Sequence, residues 1–110
     1  AEAAFGIVGI ETSAALTYTE LVEPGILTMT DMAEKMSTNP AGILGLEDKG
    51  SVSEGKAADI VIFDTSREYT IDKDTFASKG RNTPFHGRKV KGQVMYTLAG
   101  GTVVYENEIR

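Results

Sequence analysis

The spacing of apolar residues changes about half-way along the chain. Residues 12–46 repeat them at helical spacing, whereas residues 60–105 carry short runs and alternations typical of strands. The stretch that joins the two halves, residues 49–64, contains two glycine-centred turns followed by the apolar run Ile60–Phe63. Four consecutive apolar residues predict a short strand that is buried on both faces. Helices followed by a small antiparallel sheet indicate the α+β class.

Three helices are predicted in the first half of the chain. They cover residues 12–22, 28–36 and 40–45, with Thr28 as the N-cap of the second helix. Pro40 is expected to separate the second helix from the third, because proline is tolerated in a first helical turn, where no N–H bond is needed. The apolar stripe of the second helix predicts core packing rather than a cofactor site, and it includes Met29, Met32 and Met36.

The clearest strand signal is a hairpin over residues 90–105. Apolar and polar side chains alternate along it, and Gly100-Gly101 predicts a two-residue turn that places Leu98 opposite Val103. Before the hairpin we expect a strand, a turn and a brief second strand, and then an irregular loop, at residues 59–64, 65–68, 69–71 and 72–87. The hairpin has apolar groups on both faces, so the sheet is expected to be incomplete and to need partner strands.

Charge and composition argue against several classes of function. The net charge is −5 and no run of basic residues is longer than Arg88-Lys89, which argues against a nucleic-acid partner. No apolar run approaches the ~20 residues that a membrane helix needs. The absence of cysteine excludes disulfides and thiolate metal sites and fits a cytoplasmic location. The single histidine, His86, is too few for a hydrolytic zinc site, which usually takes about three protein ligands.

Three side chains are candidates for chemistry, and each has a structural alternative. Glu11 follows an apolar loop and could take part in a reaction or stabilise the start of the first helix. Asp59 could have a perturbed pKa, or it could accept hydrogen bonds from the N–H groups of a turn. His86 could be a ligand or a hydrogen-bond partner within its loop. We expect the structural role for all three.

Several segments resemble motifs of the dihydroorotase family, in its longer bacterial type. Residues 5–12, FGIVGIET, are similar to the family's FGIxGxET segment, and residues 38–46 resemble its NPAxILGL helix. Residues 50–64 look like the GxIxxGxxADxVxxD signature of the wider amidohydrolase superfamily. Residues 82–87 and 91–92 resemble motifs of the superfamily's cyclic-amide branch, which includes hydantoinases, dihydropyrimidinases and allantoinases. The resemblance runs from Phe5 to about Tyr105.

The resemblance implies a longer protein of which this chain is the C-terminal end. That protein has a metal-bearing (β/α)₈ TIM barrel of about 250 residues and a small β-sandwich built from both chain ends. Residues 1–48 are then expected to be the end of the barrel, with its last helix and two short ones. Residues 49–110 are expected to be the C-terminal part of the sandwich. The zinc ligands of the family precede this region, so we expect no metal ligand and no catalytic residue in this chain.

The resemblance also implies an activity for the longer protein, the interconversion of N-carbamoyl-L-aspartate and L-dihydroorotate in pyrimidine biosynthesis. The backbone of Phe5 and Gly6 is expected to bind the ring amide of the substrate. Ala4 stands where the family usually has proline, which predicts a looser loop. The alternatives are another cyclic amidohydrolase, or an inactive dihydroorotase-like subunit that supports a carbamoyltransferase. The longer protein is expected to bind a small-molecule substrate and to form a homo-oligomer.

Overall fold

A computed structural model of the chain describes residues 5–108, which form helices followed by a three-stranded antiparallel sheet. Residues 1–4 and 109–110 lie outside this description, and so does the prediction made for Ala4. The α+β class expected from the sequence is confirmed. None of the helices within the described residues is long and apolar enough to cross a membrane.

The first helix follows the predicted range and changes type along its length. A 3₁₀ turn, Ile10–Thr12, leads into α1, Ser13–Thr17, which continues as a π-helical turn, Tyr18–Val22. The widened turn closes where the N–H of Glu23 donates to a C=O five residues back, at 2.9 Å. In a regular helix the ring of Pro24 would clash with the carbonyl four residues before it. The π-helical turn therefore makes room for the proline that ends this helix.

The second and third helices form one continuous helix, so the predicted break at Pro40 is wrong. The segment α2, Met29–Ala33, continues through a π-helical turn, Glu34–Thr38, into α3, Asn39–Ile43. Asn39 has helical angles, φ −67° and ψ −45°, and its N–H donates to a C=O five residues back. As in the first helix, the widened turn ends two residues before a proline. Because it accommodates the ring, the chain stays helical through Pro40.

Both ends of this long helix are capped as the sequence indicates. The hydroxyl of Thr28 accepts from the N–H of Asp31 at 3.0 Å, and the carboxylate of Asp31 accepts from the N–H of Thr28 at 2.9 Å. The bond from the Thr28 backbone is the largest cause of the lowered pKa of Asp31. At the other end Gly45 has φ +72°, and the N–H of Leu46 donates to the C=O of Ala41 at 2.9 Å.

The sheet has the order β1-β2-β3, formed by Ile60–Thr70, Lys89–Ala99 and Thr102–Glu106. The sequence predicted two strands separated by a turn where the structure has the single strand β1. The predicted turn is a bulge inside it: the carboxylate of Asp64 accepts from the N–H and the hydroxyl of Ser66 at 2.9 and 2.7 Å. The pairing with β2 shifts directly after Asp64. The turn is therefore present as the sequence indicates. Both halves of β1 nevertheless pair with β2, so they form one strand.

The predicted hairpin between β2 and β3 is confirmed. Leu98 pairs with Val103, and the turn between them is formed by Gly100 and Gly101 with φ +57° and +81°. Two consecutive positive φ angles are those of a primed turn, whose twist matches that of the flanking strands.

The start of β1 is more exposed than its sequence predicts. Val61 is 56% exposed and Ile62 is 49% exposed, so the expectation of a strand buried on both faces is wrong for the described residues. The strand β1 lies at an edge of the sheet, where side chains have fewer neighbours. All five residues of β3, the other edge strand, are exposed as well.

The core is small and lies between α1 and the end of the sheet where β1 finishes and β2 begins. Ala15, Ile71 and Val90 form its buried centre. Partly buried side chains surround them, namely Leu16, Tyr69, Phe76 and Phe85. Of the methionine stripe, Met32 is buried, whereas Met29 and Met36 are 43% and 41% exposed, so the core prediction fails for those two.

Two contacts fix the first helix on β2. The hydroxyl of Thr19 accepts from the N–H of Lys91 at 2.8 Å and donates to its C=O at 3.0 Å. Next to it, Gly92 lies beneath the ring of Phe63, which Tyr18 meets edge-on at a centroid distance of 5.9 Å. These contacts set the direction in which the helix leads back to the N-terminal loop.

Candidate functional site

The expected substrate contact lies in a loop, residues 5–9, which we call the first loop. Phe5 is fully exposed, and Gly6 has φ +80°, an angle that favours glycine. Ile7 and Ile10 are 57% and 92% exposed. The first loop therefore presents backbone and apolar side chains to its surroundings.

One residue of the irregular segment over residues 72–87, which we call the long loop, is hydrogen-bonded twice to the first loop. The side-chain amide of Asn82 donates to the C=O of Gly6 at 2.9 Å, and the N–H of Val8 donates to the backbone C=O of Asn82 at 3.1 Å. Packing adds to this, because a Cβ on Gly80 would stand 2.6 Å from Cγ2 of Val8. Asn82 thus binds a carbonyl and an amide group on either side of Ile7.

Glu11 makes a second connection between the same two parts of the chain. Its Oε1 accepts from the N–H of Ala77 at 3.1 Å, and its Oε2 accepts from the N–H of Ser78 at 3.2 Å. A carboxylate that accepts two backbone N–H groups of a loop orders that loop. Glu11 has the structural role that we expected, although its partner is the long loop and not the start of the helix.

A groove of about 720 Å³ lies beside the first loop. Its lining is mainly apolar and includes Ile7, Val8 and Ile10 from the N-terminal segment and Val94 and Tyr105 from the sheet. A smaller cavity of about 240 Å³, which Tyr69 helps to line, lies next to it under α1. Burial raises the pKa of the Tyr69 hydroxyl. The first loop thus borders an apolar groove that the long loop also lines, through Ala77 and Ser78.

Asp59 accepts a hydrogen bond from a turn N–H, as its structural alternative predicted. Its Oδ1 accepts from the N–H of Gly100 at 2.8 Å, and its Oδ2 forms an ion pair with Lys49. The hydrogen bond to Lys49, followed by that from Gly100, lowers the pKa of Asp59, and Asp59 in turn raises the pKa of Lys49. The N–H of Gly101 also donates to the C=O of Ala58 at 3.0 Å. Two adjacent residues therefore hold the β2–β3 turn.

His86 is a hydrogen-bond partner within the long loop, again as the structural alternative predicted. Its Nδ1 accepts from the N–H of Lys73 at 3.1 Å, and a carboxylate oxygen of Asp72 lies 4.0 Å from the same nitrogen. Because Nδ1 is an acceptor here, the proton of the neutral ring is on Nε2. The ring joins the two ends of the long loop.

The structure does not bring Glu11, Asp59 and His86 together as a metal site. Within residues 5–108 no group of three or more His, Asp or Glu side chains is arranged to hold a metal ion. A hydrolytic zinc site needs about three protein ligands with one position left open. The side chains of the described residues do not fit such a site.

Sequence reasoning missed the role of Asn82. The residue belongs to the motif Asn82-Thr83-Pro84-Phe85, which indicates a family but not a role for the asparagine. Its partners, Gly6 and Val8, lie more than 70 residues away in the chain. No periodicity or local turn rule connects positions so distant, so the contact emerges only from the fold.

Comparison with known proteins gives a consistent result along the whole chain. Residues 3–104 match the model of the amidohydrolase family. The chain is 48% identical over 97% of its length to a dihydroorotase of Ligilactobacillus salivarius, and 46% identical over 97% to one of Acetivibrio thermocellus. It spans 25% of the length of each of these relatives.

A solved structure of a related enzyme has the same fold as this chain. The L-hydantoinase (dihydropyrimidinase) of Arthrobacter aurescens superimposes with a TM-score of 0.87 at 34% identity, over 92% of this chain and 23% of that one. The family match covers nearly all of the residues whose geometry is described above. The chain therefore belongs to the amidohydrolase family.

Proposed function

We propose that this chain is the C-terminal part of a dihydroorotase that interconverts N-carbamoyl-L-aspartate and L-dihydroorotate in pyrimidine biosynthesis. The observation that carries the proposal is the identity of 48% to a dihydroorotase, compared with 34% to a hydantoinase. Because the chain spans about a quarter of its relatives, the activity is that of the longer protein. The chain contributes to it through the first loop.

In this proposal the backbone of Phe5 and Gly6 binds the ring amide of the substrate. A ring amide offers one donor and one acceptor, and a stretch of backbone offers the same pair. The exposure of Phe5 and the positive φ of Gly6 support this role, because they leave the backbone accessible without a Cβ at the second position. Binding through the backbone fixes the orientation of the ring whatever the neighbouring side chains are.

In the longer protein, zinc binding and ring binding are assigned to different parts of the chain. We propose that residues 1–48 belong to the end of the barrel and residues 49–110 to the composite sandwich. Zinc is then held by residues outside this chain, since its described side chains do not fit a zinc site. The contribution of the chain to the reaction is to bind and orient the ring.

We also propose a cytoplasmic homo-oligomer. Exposed apolar side chains on both edge strands, Val61 and Ile62 on β1 and Val103 and Val104 on β3, support association with further strands. The absence of cysteine supports the cytoplasmic location.

The proposed activity is tested on the full-length protein that contains this chain. Purified protein is assayed with dihydroorotate, hydantoin and allantoin in parallel, with its metal content measured in the same preparation. We expect turnover of dihydroorotate. Turnover of hydantoin or allantoin alone would assign the protein to another cyclic amidohydrolase. No turnover of any of the three, together with capture of a carbamoyltransferase in a pull-down, would show an inactive supporting subunit.

A further inference from the structure

We propose that Asn82 is a positioning residue for substrate binding: it fixes the orientation of the Phe5–Gly6 backbone from the long loop. This inference rests on the proposed function, in which that backbone binds the ring. Asn82 lies in the long loop, and the inference gives its side chain a role in substrate affinity.

The first step concerns how firmly the long loop itself is fixed. At its base the N–H of Gly87 donates to the C=O of Ile71 at 2.8 Å, and the N–H of Ile71 donates to the C=O of Arg88 at 2.9 Å. Phe76 and Phe85, from the two limbs of the long loop, pack against the core around Ile71. A loop with paired ends and two apolar anchors behaves as a rigid support.

The second step concerns what this support does to the first loop. Asn82 donates to the C=O of Gly6 and accepts from the N–H of Val8, at 2.9 and 3.1 Å. The bond to the Gly6 carbonyl fixes the rotation of the peptide group that follows Gly6. Glycine has the widest choice of backbone angles of any residue, so this is where an external restraint changes the conformation most.

The third step concerns the specificity of the contact for asparagine. The side-chain bond needs an N–H donor, because its partner is a carbonyl oxygen. Aspartate has the same shape but places a negative oxygen opposite that carbonyl. The backbone C=O of residue 82, which binds Val8, is present with any side chain. Asn82→Ala and Asn82→Asp therefore remove the restraint on Gly6 and keep the one on Val8.

The kinetic test uses the full-length protein with Asn82→Ala, Asn82→Asp and Asn82→Gln. Loss of one hydrogen bond that preorganises binding is expected to raise KM about two- to tenfold for Asn82→Ala, with kcat changed less than about twofold. Asn82→Asp should raise KM at least as much. Asn82→Gln retains the donor and should recover part of the affinity. The matched control is Asn107→Asp, since Asn107 donates to the C=O of Val94 at 3.4 Å in the sheet, and its KM should equal that of the parent.

A second measurement separates this inference from the proposed function. Hydrogen exchange of the amides in the first loop of the full-length protein should become about two- to tenfold faster in Asn82→Ala, and should not change in Asn107→Asp. If the parent uses hydantoin instead of dihydroorotate, the proposed substrate is wrong, and KM for hydantoin carries the same test. If it turns over neither, exchange alone decides. Unchanged exchange, unchanged KM in all Asn82 variants, or a loss of kcat without a rise in KM would each overturn the inference.

Discussion

Replacement of Gly92 by alanine should destabilise the protein more than replacement of Gly55, a loop glycine with a positive φ and open space around it. Gly92 is buried in β2 with φ +103°, and a Cβ there would stand 2.5 Å from Cζ of Phe63 and 3.3 Å from Cδ1 of Tyr18. Two costs add up: about 1–3 kcal/mol for a residue other than glycine at that φ, and about 1–3 kcal/mol for overpacking. The free energy of unfolding should therefore fall by about 2–6 kcal/mol, out of about 5–15 kcal/mol for an ordinary domain.

A matched control isolates the clash from the backbone strain. Gly55 has φ +85° and nothing within 4 Å of an added Cβ, so Gly55→Ala carries only the first cost. Urea unfolding of both variants and of the parent should give a difference of about 1–3 kcal/mol between the two substitutions. Adding Phe63→Leu to Gly92→Ala should recover part of that difference. Equal destabilisation by Gly92→Ala and Gly55→Ala would refute the reasoning, because it would show that Phe63 moves aside without cost.

Four further predictions follow from contacts described above. The lowered pKa of Asp59 stabilises the fold above the ordinary value of 3.8, so stability should fall as the pH drops below that value, and urea unfolding from pH 6 to pH 3 should show a weaker dependence in Asp59→Asn. Thr28→Ala removes the hydroxyl that accepts from the N–H of Asp31 and should cost about 1 kcal/mol in the free energy of unfolding. The pKa of Asp31 should stay below its ordinary value in an NMR titration, because the backbone N–H of residue 28 still donates to its carboxylate. The 110-residue chain should bind no stoichiometric zinc, which a metal analysis finding about one tightly held ion per chain would contradict. It should also self-associate through its edge strands, and sedimentation as a monomer at micromolar concentration would contradict that.

The parts of the fold that the sequence predicted correctly depend on neighbouring residues. The box of Thr28 and Asp31, the helix end at Gly45 and the turn of Gly100 and Gly101 are each completed within a few residues of chain. Such signals consist of residues that are close together in the chain. They can be recognised before any tertiary contact is known.

The failures have a common cause in contacts or distortions that local patterns do not show. A π-helical turn adds one residue to the helical repeat, which rotates the apolar stripe by about 100°. Met36 lies within such a turn and is 41% exposed, whereas Met32 precedes it and is 7% exposed. The rotation accounts for Met36 alone, because Met29 also precedes the turn and is 43% exposed. The exposure of Val61 and Ile62 likewise depends on which elements pack over β1. Apolar residue type does not predict which elements those are.

In the candidate site, too, local sequence predicted some features and tertiary contacts decided the others. The kind of hydrogen bond that Asp59 accepts was predictable from its place before a strand, but its partner, Gly100, lies 41 residues away. For Glu11 the structural role was expected, and the N–H groups that it binds belong to residues 66 and 67 positions further on. Residue type and flanking sequence thus predict what a side chain can do. The topology decides with which group it does so.

The bonds from Ala58-Asp59 to Gly100-Gly101 mean that two sequence motifs form one physical unit. The first pair supplies an acceptor for each N–H that the turn leaves unpaired, and the second pair supplies the backbone angles that direct those N–H groups at it. Neither pair has its full effect without the other. In a library randomised at all four positions, surviving sequences should therefore show correlated choices across the 41-residue interval, and a chimaera that exchanges only one of the two pairs should fold less well than one that exchanges both.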